Sequence, residues 1–92
     1  MKKIPRRDKL KIYGDLLIIL NNQSKTEKII LSQVQMRMGV PFDRLKKYIS
    51  ELTDLCLIEN EPSFKLTEKG RQYLIEYANV LDFMKRMGLS YG

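Results

Sequence analysis

The sequence predicts a mainly α fold with a small β-hairpin, and three observations carry that prediction. Apolar residues recur at helical spacing in separate stretches of the 92-residue chain. Gly39-Val40-Pro41 interrupts two of those stretches as a tight helix-to-helix turn would. Leu57-Ile58-Glu59 and Phe64-Lys65-Leu66 then flank the turn-forming Asn60-Glu61-Pro62-Ser63.

The first helix is expected from near Asp8 to about Asn21, with Leu10, Tyr13, Leu17 and Leu20 at helical intervals and Leu16 beside them. Gly14 inside it costs about 1 kcal/mol relative to alanine, which predicts a close helix contact there. Asn21-Asn22-Gln23-Ser24-Lys25 reads as a loop. Lys28-Ile29-Ile30-Leu31 reads as a short strand, and Ser32-Gln33-Val34-Gln35 matches a capping box opening a helix from Ser32 to Met38. The competing reading is one longer helix capped by Thr26. Gly39 supplies a left-handed stop, Val40 plugs the corner, and Pro41 opens the next helix with its φ preset.

That next helix runs from Pro41 to about Asp54. Leu45, Tyr48, Ile49, Leu52 and Leu55 fall on one side, leaving Arg44, Lys46, Lys47, Ser50 and Glu51 for solvent. In the hairpin that follows, Pro62 suits the first central position of a tight turn. Thr67 caps a final helix from Glu68 to about Met87, roughly 30 Å long. Helix, turn, basic helix, hairpin and capped helix, in that order, describe a winged helix-turn-helix with a long C-terminal helix. The chain accordingly divides into a basic N-terminal arm (1–7), the winged helix-turn-helix domain (8–66) and a C-terminal dimerisation helix and tail (67–92).

Composition narrows the function. With 43% hydrophobic residues the chain should fold, and 92 residues suit one domain with a modest core. The longest aliphatic run, Leu16 to Leu20, falls far short of the ~20 residues a membrane span needs. Asp8, Lys9 and Lys11 interrupt what would be the apolar core of a secretory signal, so a cytoplasmic setting is expected. Cys56 is the sole cysteine and histidine is absent, which removes an intrachain disulfide and the usual zinc ligand sets. Without a histidine base or a glycine-rich phosphate loop, no enzyme is expected. Glu59 and Glu61 in the hairpin read as solvated charges rather than an acid/base pair. No cofactor or small-molecule ligand is implied.

The net charge of +6 is concentrated at one end. Lys2, Lys3, Arg6, Arg7, Lys9 and Lys11 face a single acid, Asp8, over the first eleven residues. Such an imbalance favours a polyanion. A basic arm, a helix-turn-helix and a basic second helix together predict binding of double-stranded DNA. Arg44 is the candidate for a base edge, because a guanidinium bonds guanine bidentately. Lys46, Lys47 and the arm suit phosphates, with Arg37, Ser50 and Lys65 as further candidate contacts. On the last helix Leu74, Tyr77, Leu81 and Met84 alternate steps of three and four, with Met87 in a neighbouring series. About two heptads of coiled-coil character result, and a second copy of the helix is the expected cover. The bland alternative is that Leu74 and Tyr77 pack on the first helix.

Leu45-Lys46-Lys47-Tyr48-Ile49, Leu55-Cys56-Leu57-Ile58 and Phe64-Lys65-Leu66-Thr67-Glu68-Lys69-Gly70, followed by Leu74, Tyr77 and Leu81, resemble a known group. It comprises the small dimeric winged-helix DNA-binding proteins of archaea, chromatin-type proteins and predicted transcription regulators among them. The resemblance spans Ser32 to about Met84. It implies a nucleoid-associated homodimer, joined by antiparallel C-terminal helices and presenting both winged units to duplex DNA. Members usually carry glycine where this chain has Cys56, and the wing here is short and acidic, with Lys65 its only base. The expected function is thus a transcription regulator or architectural protein. A protein-interaction module in a transcription or replication assembly is the alternative.

Overall fold

In the computed structural model, which describes residues 2–4, 8–26 and 28–91, the helices gather around one stripe of buried leucines. The elements in order are β1 (Lys2–Ile4), α1 (Lys9–Thr26), α2 (Leu31–Met38), α3 (Phe42–Asp54), α4 (Glu68–Arg86) and β2 (Leu89–Tyr91). Leu16, Leu17 and Leu20 of α1 meet Val34 and Met38 of α2, Leu45, Ile49 and Leu52 of α3, and Leu57, Ile58 and Leu66 of the hairpin. Each fully buried leucine contributes roughly 2 kcal/mol relative to exposure.

Helix α1 continues through the stretch read as a loop. Gln23 is buried; its side-chain amide donates to Gln33 Oε1 at 3.2 Å and its Oε1 accepts the Ile30 amide at 3.3 Å. Satisfying that buried amide requires Gln23 to stay helical. Lys28–Leu31 forms no strand. Ile30 is extended, but it serves as the N-cap of α2, where its carbonyl accepts the Gln33 and Val34 amides. Ser32 lies inside the helix and makes no cap bond, and Gln35 reaches forward to the Val40 carbonyl at 3.1 Å. The expected capping box is therefore replaced by a brace across the turn.

The turn itself follows expectation. Gly39 adopts φ 67 and ψ 33, and its amide bonds the Gln35 carbonyl. Pro41 stands one position earlier than expected, as the extended N-cap of α3 rather than its first helical residue. After α3, Cys56 takes φ 62, the left-handed conformation a glycine would adopt without cost. The hairpin is minimal: one antiparallel bridge, Ile58 to Leu66, supported by Glu59 N–H to Lys65 O at 2.7 Å. Ser63 N–H bonds Asn60 O, so Pro62 occupies the second central position of the turn instead of the first. Thr67 caps α4 as expected, accepting the Gly70 amide at 3.1 Å while donating to the Cys56 carbonyl at 2.6 Å.

Neither terminal strand is expected from sequence. β1 pairs with β2 in parallel, Lys2 opposite Leu89 and Ile4 opposite Tyr91, so part of the region read as a basic arm is tied to the C-terminal segment. Helices α1 and α4 run side by side. Tyr73 OH donates to the Leu10 carbonyl at 2.8 Å and Tyr77 OH to Asp15 Oδ1 at 3.3 Å. Both partners advance by about one turn together, so the helices run in the same sense where they meet. Between those bonds the Tyr77 ring lies directly on Gly14, where an added Cβ would fall 2.4 Å from the ring.

Gly14→Ala should consequently destabilise the protein by about 1–3 kcal/mol through overpacking, although alanine is the better helix former by about 1 kcal/mol. Urea unfolding measures the change, and Tyr77→Leu in the same chain should recover part of it. A neutral or stabilising Gly14→Ala would show that the ring can move aside.

Candidate nucleic-acid interface

The rotation of α3 is fixed by what it buries. Leu45, Ile49 and Leu52 fill the core, so at 100° per residue Asp43, Arg44, Lys46, Lys47 and Ser50 are turned outward and exposed. Among the described residues, Arg44, Lys46 and Lys47 have no hydrogen-bond or ion-pair partner. Lys46 Nζ lies 6.0 Å from the centroid of the Phe42 ring, at the outer limit of a cation–π contact. Four of the expected nucleic-acid contacts, Arg44, Lys46, Lys47 and Ser50, thus share one helix.

The remaining candidates are placed elsewhere. Arg37 is exposed on α2 and lines a cleft with Asp15, Ile18, Ile19 and Met38, which sets it beside α1. Arg44 lines a different cleft of about 290 Å³ with Ile12, Met38, Val40 and Tyr48. Lys65 shares a cleft with Lys28, a base the sequence reasoning did not single out, between the hairpin and the α1–α2 connection. Lys2 and Lys3 lie on β1, whereas Arg6 and Arg7 fall outside the described residues. Glu59 accepts a hydrogen bond from Ser63 within the hairpin, and Glu61 is exposed at its tip.

A glycine-stopped helix braced onto a second, basic helix, followed by a bridged hairpin and a capped helix, is matched by the family model described as Winged helix-turn-helix over residues 6–85. The chain belongs to the winged helix-turn-helix family. No significant match to a curated protein or to a solved structure accompanies it. Within this winged helix-turn-helix, α3 takes the place of the recognition helix and the residue 58–66 hairpin is the wing, a fold that suggests nucleic acid as partner. Among the described residues no helix is long and apolar enough to cross a membrane.

The winged-helix frame also shows what sequence reasoning missed. Glu51, expected to be solvated, is half-buried, and its Oε1 accepts from Lys9 Nζ at 2.7 Å and from Tyr13 OH at 2.6 Å. Lys9 lies 5.4 Å from the centroids of both the Tyr13 and Tyr48 rings. The first turns of α1 are thereby tied to the second half of α3, and one base of the N-terminal cluster is neutralised in place. The i, i+4 spacing of Lys9 and Tyr13 was visible in the sequence, but their meeting with Glu51 is tertiary and has no local signal.

The residues expected to face a second copy do not act together. Tyr77 is 2% exposed and Met84 6%, both buried within the protomer, and Leu74 packs against the core. Leu81 and Met87 remain outside, at 37% and 57%, and Ile75 and Phe83 join them. Helical spacing marked α4 as apolar on a broad face without telling which part its own chain would cover.

The Lys9–Tyr13–Glu51 cluster predicts a pH dependence of stability. The Glu51 carboxyl is held below the ordinary 4.5, first by the hydrogen bond from Lys9 and then by that from Tyr13. Lys9 is raised above 10.5, chiefly by the same bond to Glu51. A lowered acid stabilises the fold above its unfolded value, and that contribution is lost as pH falls through the folded value. A raised lysine stabilises below its unfolded value and loses the contribution as pH rises through the folded one. The difference in urea midpoint between the parent and Glu51→Gln should therefore be constant near neutrality, shrink below about pH 4.5 and shrink again above about pH 10.5. Salt should reduce it throughout, since the Lys9 ammonium is exposed. A difference insensitive to both pH and salt would show that the ion pair contributes nothing.

Proposed function

We propose that this winged helix-turn-helix protein binds double-stranded DNA through α3, as a homodimeric transcription regulator or chromatin-like architectural protein of the archaeal kind it resembles, acting at the nucleoid in the cytoplasm. One observation carries the reading: Arg44, Lys46 and Lys47 stand exposed outside the buried stripe of α3, with no hydrogen-bond or ion-pair partner among the described residues. Arg44 reads a base edge, and Lys46 and Lys47 hold phosphates with help from Lys2, Lys3, Arg6 and Arg7. Arg37, Ser50 and Lys65 supply peripheral contacts. The acidic wing favours a second reading, a protein-interaction module whose basic α3 meets an acidic partner.

Duplex-binding measurements across a salt series separate the two. Arg44→Ala should lose about 1–3 kcal/mol at one preferred base and relax preference there. Lys46→Ala and Lys47→Ala should weaken binding to all sequences alike, each reducing the slope of log K against log salt by about 0.9. Replacing Lys2, Lys3, Arg6 and Arg7 with alanine should act like the lysine changes. A folded Arg44, Lys46 and Lys47 triple alanine variant that binds duplex as the parent does would move the protein-interaction reading ahead.

Support for the dimer comes from the apolar residues that α4 leaves uncovered, Ile75, Leu81, Phe83 and Met87. Leu81→Glu with Met87→Glu should convert a dimer to a monomer while the core, which uses neither residue, stays folded. Sedimentation showing the parent as a monomer at micromolar concentration would end the dimer reading.

A further inference from the structure

Leu45, Ile49 and Leu52 form the buried line of α3, and one large apolar side chain extends that line past the core at the N-terminal end of the helix. Phe42, the first residue of the helix, is 41% exposed and takes no part in the hydrophobic core. It sits one turn before Lys46, whose ammonium lies beside its ring. An exposed aromatic at that position gains free energy only if its uncovered area meets something apolar. The N-terminal residues of a recognition helix are the ones that reach base edges. Along those edges the major groove offers nitrogen and oxygen donors and acceptors and a single apolar group, the C5-methyl of thymine.

We infer that Phe42 reads the thymine C5-methyl group: its exposed ring, held beside Lys46 at the start of α3, packs on that methyl when Lys46 takes the neighbouring phosphate. This rests on the DNA-binding reading and deepens it, because it assigns a base preference to a residue the charge pattern overlooks. The contact is one of shape and burial, so it adds discrimination without adding to the salt dependence. Polar bases at the same position leave the ring half-covered, and cytosine becomes acceptable only when methylated at C5.

The test compares three random-sequence duplexes: one with thymine, one with uracil replacing thymine throughout, and the uracil duplex with 5-methylcytosine replacing cytosine. The parent protein should bind the uracil duplex about fourfold more weakly per methyl contacted, the effect of one methyl-sized burial, and should recover affinity on the methylcytosine duplex. Phe42→Ala should bind all three alike, with helical content unchanged, and Phe42→Leu should keep part of the preference. The salt slopes of the parent on the thymine and uracil duplexes should coincide. Equal binding of the thymine and uracil duplexes by the parent, or a methyl preference surviving in Phe42→Ala, would overturn the assignment while leaving DNA binding intact. Failure of the parent to bind any of the three would overturn both.

Discussion

The burial of Leu45, Ile49 and Leu52 is the constraint on which the arrangement of α3 depends. Once those three side chains enter the core, the helix has no rotational freedom left, and the direction of every other residue on it follows from its 100° step. Turning α3 to hide its basic face would expose all three, at roughly 2 kcal/mol each. The turn before it is equally constrained: the left-handed Gly39 stops α2, and Gln35 holds the Val40 carbonyl across the corner. A basic face on a helix is ordinary. A basic face that the core forces outward, directly after a braced helix-turn-helix joint, is a surface available for recognition.

Charge is also graded along that helix. Arg44, Lys46 and Lys47 outnumber Asp43 in its first half, whereas Asp54 stands in its second and Glu59 and Glu61, with Lys65, follow in the wing. Lys9 pairs with Glu51 at 2.7 Å, so that carboxylate adds little to the grading. A polyanion is attracted most strongly at the start of α3. The geometry therefore favours an approach through the N-terminal half of the helix, with the wing contributing little. The same cluster ties α1 to α3.

Local pattern made much of the fold legible. The buried stripe of α3, the glycine stop at residue 39 and the Thr67 cap are each set by a few neighbouring residues, and the structure has all three. Where long-range contacts decide, the sequence was silent. Asn21 to Lys25 has loop composition, yet the hydrogen bond Gln23 donates to Gln33 and the one it accepts from the Ile30 amide keep it helical. Lys2-Lys3-Ile4 and Leu89-Ser90-Tyr91 are too short to carry a strand period, and only their pairing makes them strands. For the candidate site, the charges on α3 were readable from spacing, but the capture of Lys9 by Glu51 was not. Tyr77 and Met84 show the same limit on α4, because periodicity locates an apolar face and leaves its partner open.

Amide shift mapping of the isotope-labelled protein titrated with a short duplex shows whether the exposed face of α3 is the surface proposed to meet DNA. The largest changes should fall on Phe42 to Ser50, with smaller ones reaching Lys9 and Tyr13 through Glu51 and almost none at the exposed residues of α4. Changes confined to α4 or to the wing, with α3 unmoved, would contradict that proposal.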